Sequence, residues 1–295
     1  MLRKPFAWVM GSSLALASLM LGGVVAPAAL AQDTPDRLVL GMVPSREADR
    51  VVDSLDPLAE LLSEKIGIPV ETFISTDYTG LVEAVGTQRV DIGLFGPASL
   101  VEAVDRHDAR IILASVRRGS TTYKSQFNVP CDGEIDDFTD LAGKSIAFVD
   151  PASASGYQFP FVFLSTEHDI NPDEDMDSIF AGSHDAAVLA VYNGDVDVAV
   201  SFNDARTAIQ QDFPDVMEKV CILGYTSDIP NDGAVVRSGL SDELAEQIAQ
   251  AMIEIAETEE GQTLTDTLFN VTGFAAIDPS VYDIVREVSA TFRRR

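Results

Sequence analysis

Between residues 37 and 117 the chain alternates short apolar runs with helix-like stretches, and that rhythm leaves few folds open. RLVLGMVP (37–44), IPVETFIS (68–75), VDIGLFG (90–96) and RIILASVR (110–117) read as strands. LAELLSEKIG, opened by Asp56-Pro57 and stopped at Gly67, reads as a helix, as do YTGLVEAVGTQR (78–89) and PASLVEAVDRH (97–107), the last with Pro97 in its first turn. Consecutive parallel strands need a long crossover, and a helix supplies it. The pattern therefore predicts an α/β layer with a mostly parallel sheet.

The rhythm breaks once. TTYKSQFNV (121–129) is strand-like with no helix behind it and runs into the acidic turn CDGEIDD. A second series of similar length follows. It comprises strands at 145–149, 177–182 and 196–203 and helices after the SASG of 153–156, over HDAAVLAVYNG (184–194) and over DARTAIQQDF (204–213). KVCILGYTSDIPNDGAVVR (219–237) leads back through strands, and three helical stretches (241–257, 261–269, 279–292) close the chain. Two αβ lobes joined by two extended crossings, near 121–130 and 221–235, are expected. Lobe 1 takes residues 32–124 plus 228–295, and lobe 2 takes 125–227.

Residues 1–31 form a different kind of segment. Arg3 and Lys4 precede an apolar stretch from Phe6 to Val25, and Ala29-Leu30-Ala31 supplies small residues for cleavage, which predicts an exported protein that begins at Gln32. The formal charge is −27 and becomes −29 once Arg3 and Lys4 leave with the leader, so nucleic acid and anionic membranes are poor partners. A small anion is not excluded, because surface charge is screened beyond about 8 Å at physiological ionic strength. In an oxidising compartment Cys131 and Cys221 can form one disulfide, and two buried thiols are the alternative.

The stretch FVDPASASGYQFP (148–160) carries the most chemistry. A strand ends in Asp, Pro, Ala and Ser just where a helix begins, the position at which open α/β sheets collect ligands. The first turn of a helix has amides without intrahelical partners, and they attract an anion. Ser153 and Ser155 can add hydroxyl donors, while Gly156 keeps the approach open. A serine at this position also serves simply as a helix cap, and the pattern alone fits either role.

The segment DPASASGYxxP (150–160) resembles the signature of the phosphonate and phosphite substrate-binding proteins of ABC transporters. Four further segments match in order: TDYTG (76–80), VDIGLFG (90–96), GSHD (182–185), and NGDVDVAVSFND with IPNDGAVVR. The resemblance implies a type II periplasmic-binding-protein fold whose cleft closes on a phosphorus oxyanion. Ser153, the backbone at Ala154, and Ser155 would hold its oxygens, His184 would donate a further bond, and Tyr78 would contribute its hydroxyl from the facing lobe. Phe95, where the family often has tyrosine, would pack against the ligand without donating. Asp204 and Asp232 lie where some family members set acids against the ligand's substituent.

The partners so implied are a small phosphorus oxyanion and an inner-membrane ABC permease, with the receptor a monomer. A sensor kinase or chemoreceptor could read the same binding fold. Ser153 or Ser155 with His184 and Asp204 also supplies the residue types of a serine hydrolase, but without the G-x-S-x-G elbow, so no catalytic residue is assigned. The absence of HExxH, CxxC or a close carboxylate–histidine set in the sequence predicts neither a metal nor a cofactor.

Overall fold

The computed structural model describes residues 35–43, 45 and 48–294; the expected leader, residues 1–31, lies outside them. The first lobe opens with β1 (Leu38–Met42), α1 (Ala48–Ile66), β2 (Val70–Ile74), α2 (Tyr78–Gly86), β3 (Ile92–Phe95), α3 (Pro97–His107) and β4 (Arg110–Val116). The second lobe holds β5 (Thr122–Pro130), β6 (Ser145–Phe148), α4 (Phe159–Glu167), α5 (Pro172–Asp175), β7 (Asp177–Phe180), α6 (His184–Asn193), β8 (Val198–Phe202), α7 (Arg206–Ile209), α8 (Val216–Lys219) and β9 (Val220–Pro230). The chain then returns with β10 (Gly233–Val236), α9 (Asp242–Ala256), α10 (Glu259–Phe269), β11 (Gly273–Ala275) and α11 (Asp283–Phe292).

Six strands in the order β11-β4-β10-β3-β1-β2 form one sheet, and five in the order β7-β6-β8-β5-β9 form the other. Each sheet is mixed rather than mostly parallel. In the first, β1 pairs in parallel with β2 and β3, while β10 runs antiparallel to both β3 and β4. In the second, β6 is parallel to β7 and β8, whereas β5 is antiparallel to β8 and β9. The βαβ units set the parallel halves. The antiparallel halves arise because each sheet also receives a strand arriving from the other lobe, and its direction is fixed by where the chain re-enters.

Helix α1 begins well before the expected Asp56-Pro57 start, with Pro57 inside it. An interior proline costs about 3 kcal/mol. Leu55, Leu58 and Leu62 are all buried against the lobe 1 sheet, each contributing roughly 1.5–3 kcal/mol, so packing outweighs the lost hydrogen bond. The helix expected over 204–213 shrinks to the single turn α7, where only Ile209 is buried and no side chain caps the N-terminus. No helix among the described residues is long and apolar enough to cross a membrane.

The crossings are shorter than the sequence suggests, because residues 122–130 and 220–230 pair as β5 and β9 inside the second sheet. What connects the lobes is the turn Arg117–Thr121 and the pair Asn231-Asp232. Arg118 and Gly119 (φ 49° and 80°) both adopt the left-handed conformation, and Arg117 and Ser120 exchange backbone hydrogen bonds at 2.8 and 2.9 Å. Asn231 joins the two crossings: its amide donates to Thr121 O (3.0 Å), and its Nδ2 to Ser115 O (2.9 Å) and Ser120 O (2.8 Å).

Helix α11, expected in lobe 1, packs on both lobes. Arg286 pairs with Asp105 of α3 at 3.0 Å, Ser289 Oγ donates to Gln158 Oε1 at 2.6 Å, and the Phe292 ring meets Tyr157 and Phe161 at 5.0 and 5.3 Å. A disulfide joins Cys131 to Cys221, bridging the ends of β5 and β9 farthest from the crossings.

Candidate functional site

A small cavity lies between the lobes, at the carboxyl ends of β1, β3 and β6. Its lobe 2 wall is the turn after β6. Ser153 caps this turn, its Oγ accepting the Gly156 N–H at 3.1 Å, and residues Ala154–Gln158 form a wide π turn before α4 begins. Ser153, Ala154 and Ser155 all line the cavity and are all buried. Gly156 has a different role from the one expected. A Cβ there would sit 2.4 Å from Val149 Cβ and 2.8 Å from Ser153 Oγ, so glycine lets the turn pack onto the strand rather than opening a path for the ligand.

His184, the first residue of α6, completes this wall. Ser183 caps the helix by accepting the Ala186 N–H at 3.1 Å, and the His184 N–H donates across the cleft to Ser45 O at 3.2 Å. The ring packs edge-on to Phe202 at 4.8 Å, and its Nδ1 accepts the Phe202 N–H at 3.1 Å. A neutral imidazole accepting at Nδ1 carries its proton on Nε2, where it is a donor.

From lobe 1, Tyr78 enters at the head of α2, where Asp77 accepts the Gly80 N–H at 2.6 Å. The hydroxyls of Tyr78 and Ser45 line the cavity and are buried without a hydrogen-bond partner among the described residues. Two unsatisfied hydroxyls in one buried cavity carry a desolvation cost that a polar guest would relieve. Burial, with the Asp150 and Asp232 charges, pushes the Tyr78 phenol well above its ordinary value. Burial first and Asp232 second do the same to Tyr123. Both therefore stay protonated, as hydroxyl donors, at any physiological pH.

The crossings contribute an ion pair to the cavity wall. Arg117 Nη2 donates to Asp232 Oδ2, and the guanidinium lies over the rings of Tyr123 at 4.7 Å and Phe202 at 5.6 Å. Tyr123 and Ser155 both line the cavity beside this pair. Asp150, just behind the 153–155 turn, accepts the Ala152 N–H at 2.8 Å. Burial raises its carboxyl above the ordinary value, and backbone hydrogen bonding only partly opposes it.

Six of the eight expected ligand-site residues therefore converge: Tyr78, Ser153, Ala154, Ser155, His184 and Asp232. Two do not. Phe95 is fully buried in lobe 1, opposite Gly233 on β10 and with its ring against the Gly93 backbone, because β3 points it into the sheet-helix layer. Asp204 sits on the rim of a neighbouring depression, 3.7 Å from Arg118 and substantially exposed, because its own backbone (φ 64°) turns away from the cavity. Three cavity residues with polar side chains were missed: Ser45, Arg117 and Tyr123. The basic step Arg117-Arg118-Gly119 in so acidic a chain was the available signal for one of them.

A family model described as ABC transporter, phosphonate, periplasmic substrate-binding protein matches residues 40–282, which take in both lobes and every cavity residue named above. The chain belongs to this family. Among its relatives, the phosphonates-binding periplasmic protein of Escherichia coli K12 is 26% identical over 87% of this chain and 77% of its own length. The phosphate-import protein PhnD of Mycolicibacterium smegmatis is 32% identical over 64% of this chain and 62% of its own length. PhnD1 of Prochlorococcus marinus, solved with methylphosphonate, shares the fold at a TM-score of 0.80 and 18% identity, covering 89% of this chain and 100% of that one. The type II architecture of the phosphonate-binding family is thus the architecture of this chain, with its two mixed sheets facing one cleft.

Proposed function

We propose that the protein captures a small phosphorus oxyanion (a phosphonate, phosphite or phosphate) after export and delivers it to an inner-membrane ABC permease. The observation that carries this reading is the convergence of donors from both lobes on one buried cavity. Ser45 and Tyr78 bring hydroxyls unsatisfied among the described residues from lobe 1, while Ser155 and His184 line the cavity from lobe 2. A tetrahedral oxyanion presents acceptors in several directions at once, so it can satisfy donors on both walls, and only the closed form offers both. Closure would turn on the paired crossings at 117–121 and 231–232.

The relatives support the ligand class, since their names and the bound methylphosphonate in one of them span phosphonate and phosphate. The His184 geometry speaks against a hydrolase. A catalytic imidazole takes the serine proton on Nε2 and holds its own on Nδ1, and here Nδ1 is the acceptor.

A thermal-shift panel of phosphite, phosphate, methylphosphonate and hypophosphite tests the reading, with sulfate as the control anion. A ligand at 100 times its Kd adds about 2.7 kcal/mol of stability, which for a chain of this size raises Tm by roughly 4–5 °C. No shift with any phosphorus anion would overturn the proposal.

A further inference from the structure

A carboxylate on the wall of an anion pocket needs an explanation, and Asp232 is 6% exposed there. Left alone it would repel the guest, or hold any cationic group the guest carried. It is not left alone. Arg117, from the other crossing, donates Nη2 to its Oδ2 and is clamped over two aromatic rings, Tyr123 and Phe202. The Arg117 Nε is buried with no hydrogen-bond partner among the described residues. The carboxylate is thus neutralised, and the guanidinium keeps a donor that no acceptor among the described residues uses.

We propose that the Arg117–Asp232 pair makes the pocket select against phosphorus oxyanions bearing an ammonium group, leaving the inorganic anions and short uncharged alkylphosphonates as its ligands. The proposal rests on the function proposed above. An ammonium arm reaching Asp232 would have to displace Arg117 and then sit beside the displaced guanidinium. It would meet like charge in a desolvated site, which is discrimination by a repulsive element. An anion without the arm meets only the guanidinium's remaining donors and the hydroxyls.

Titration calorimetry with phosphate, phosphite, methylphosphonate and 2-aminoethylphosphonate tests this. The wild type is expected to bind its best amine-free ligand about 100-fold tighter than 2-aminoethylphosphonate. Arg117→Met frees Asp232 and should shift the preference between methylphosphonate and 2-aminoethylphosphonate at least about tenfold toward the amine. Should that variant fail to fold, Asp232→Asn keeps the cation without its partner. It is expected to bind the amine-free anions at least as tightly as the wild type while still rejecting the amine. Wild-type affinities for methylphosphonate and 2-aminoethylphosphonate within about threefold would overturn the proposal and leave the oxyanion receptor standing. An unchanged preference in a folded Arg117→Met would do the same, as would gain of the amine by Asp232→Asn. Binding of none of the four anions would overturn the receptor reading, and this proposal with it.

Discussion

His184 Nδ1 accepts the backbone N–H of Phe202 at 3.1 Å, and this one bond decides what the imidazole can offer the cleft. With Nδ1 engaged, the proton stands on Nε2. Glutamine can place an N–H near the Nε2 position, whereas asparagine reaches only the region of Nδ1. His184→Gln is therefore expected to retain more affinity than His184→Asn. Loss of a hydrogen bond to a charged ligand weakens binding by roughly 1.5–3 kcal/mol, about 10–100-fold. Calorimetry on both variants with the tightest ligand of the panel checks the order, and equal losses would remove the tautomer argument.

Tyr78→Phe isolates a different contribution. The hydroxyl has no partner among the described residues, so removing it breaks no internal hydrogen bond and relieves a buried unsatisfied group. Unfolding stability without ligand should stay within about 1 kcal/mol of the wild type or rise, while ligand affinity falls about tenfold or more. Denaturant unfolding and calorimetry on the same preparation separate the two. A variant that loses stability but keeps its affinity would show that the hydroxyl serves the fold.

Burial raises the Asp150 carboxyl, so in the folded protein it holds its proton to higher pH than in the unfolded chain. The sign follows from linkage. Its contribution is most favourable below the ordinary carboxylate pKa of about 4 and is lost as pH rises through the raised folded value. Asp150→Asn can still accept the Ala152 N–H and has no charge to desolvate. The stability difference, variant minus wild type, should grow with pH across that window and then level off. Denaturant midpoints measured from acid to neutral pH give the curve, and a flat difference would contradict the assignment.

The Cys131–Cys221 disulfide closes a separation of 90 residues at the end of β5 and β9 away from the cleft. Reduction, or Cys131→Ser with Cys221→Ser, is expected to cost about 2–5 kcal/mol of stability. Ligand affinity at a temperature where the reduced protein remains folded should not change. Melting with and without reductant, followed by calorimetry, tests both halves.

The contrast between α1 and the cavity shows what could be read from residue order and what could not. Strands and helix starts were legible wherever an apolar period met a cap, as at Asp77, Ser153 and Ser183, and these caps also marked two walls of the site. Strand direction was not legible, because β5 and β10 owe theirs to a partner strand distant in sequence. Phe95 and Asp204 were misplaced for a related reason. A motif fixes a position along the chain, whereas the facing of a side chain depends on the pleat or on a backbone angle. Arg117 was missed because its role exists only once residues 117 and 232 meet. Neither segment alone carries a sign of the other.

Helix α11 is fastened to α3 through Arg286 and to the far lobe through Ser289 and Phe292. This last stretch of chain is a strap laid over both lobes, and were they to swing apart it would have to stretch or slide. Trimming the chain before Arg286 would remove these fastenings while leaving every residue of the cavity wall in place.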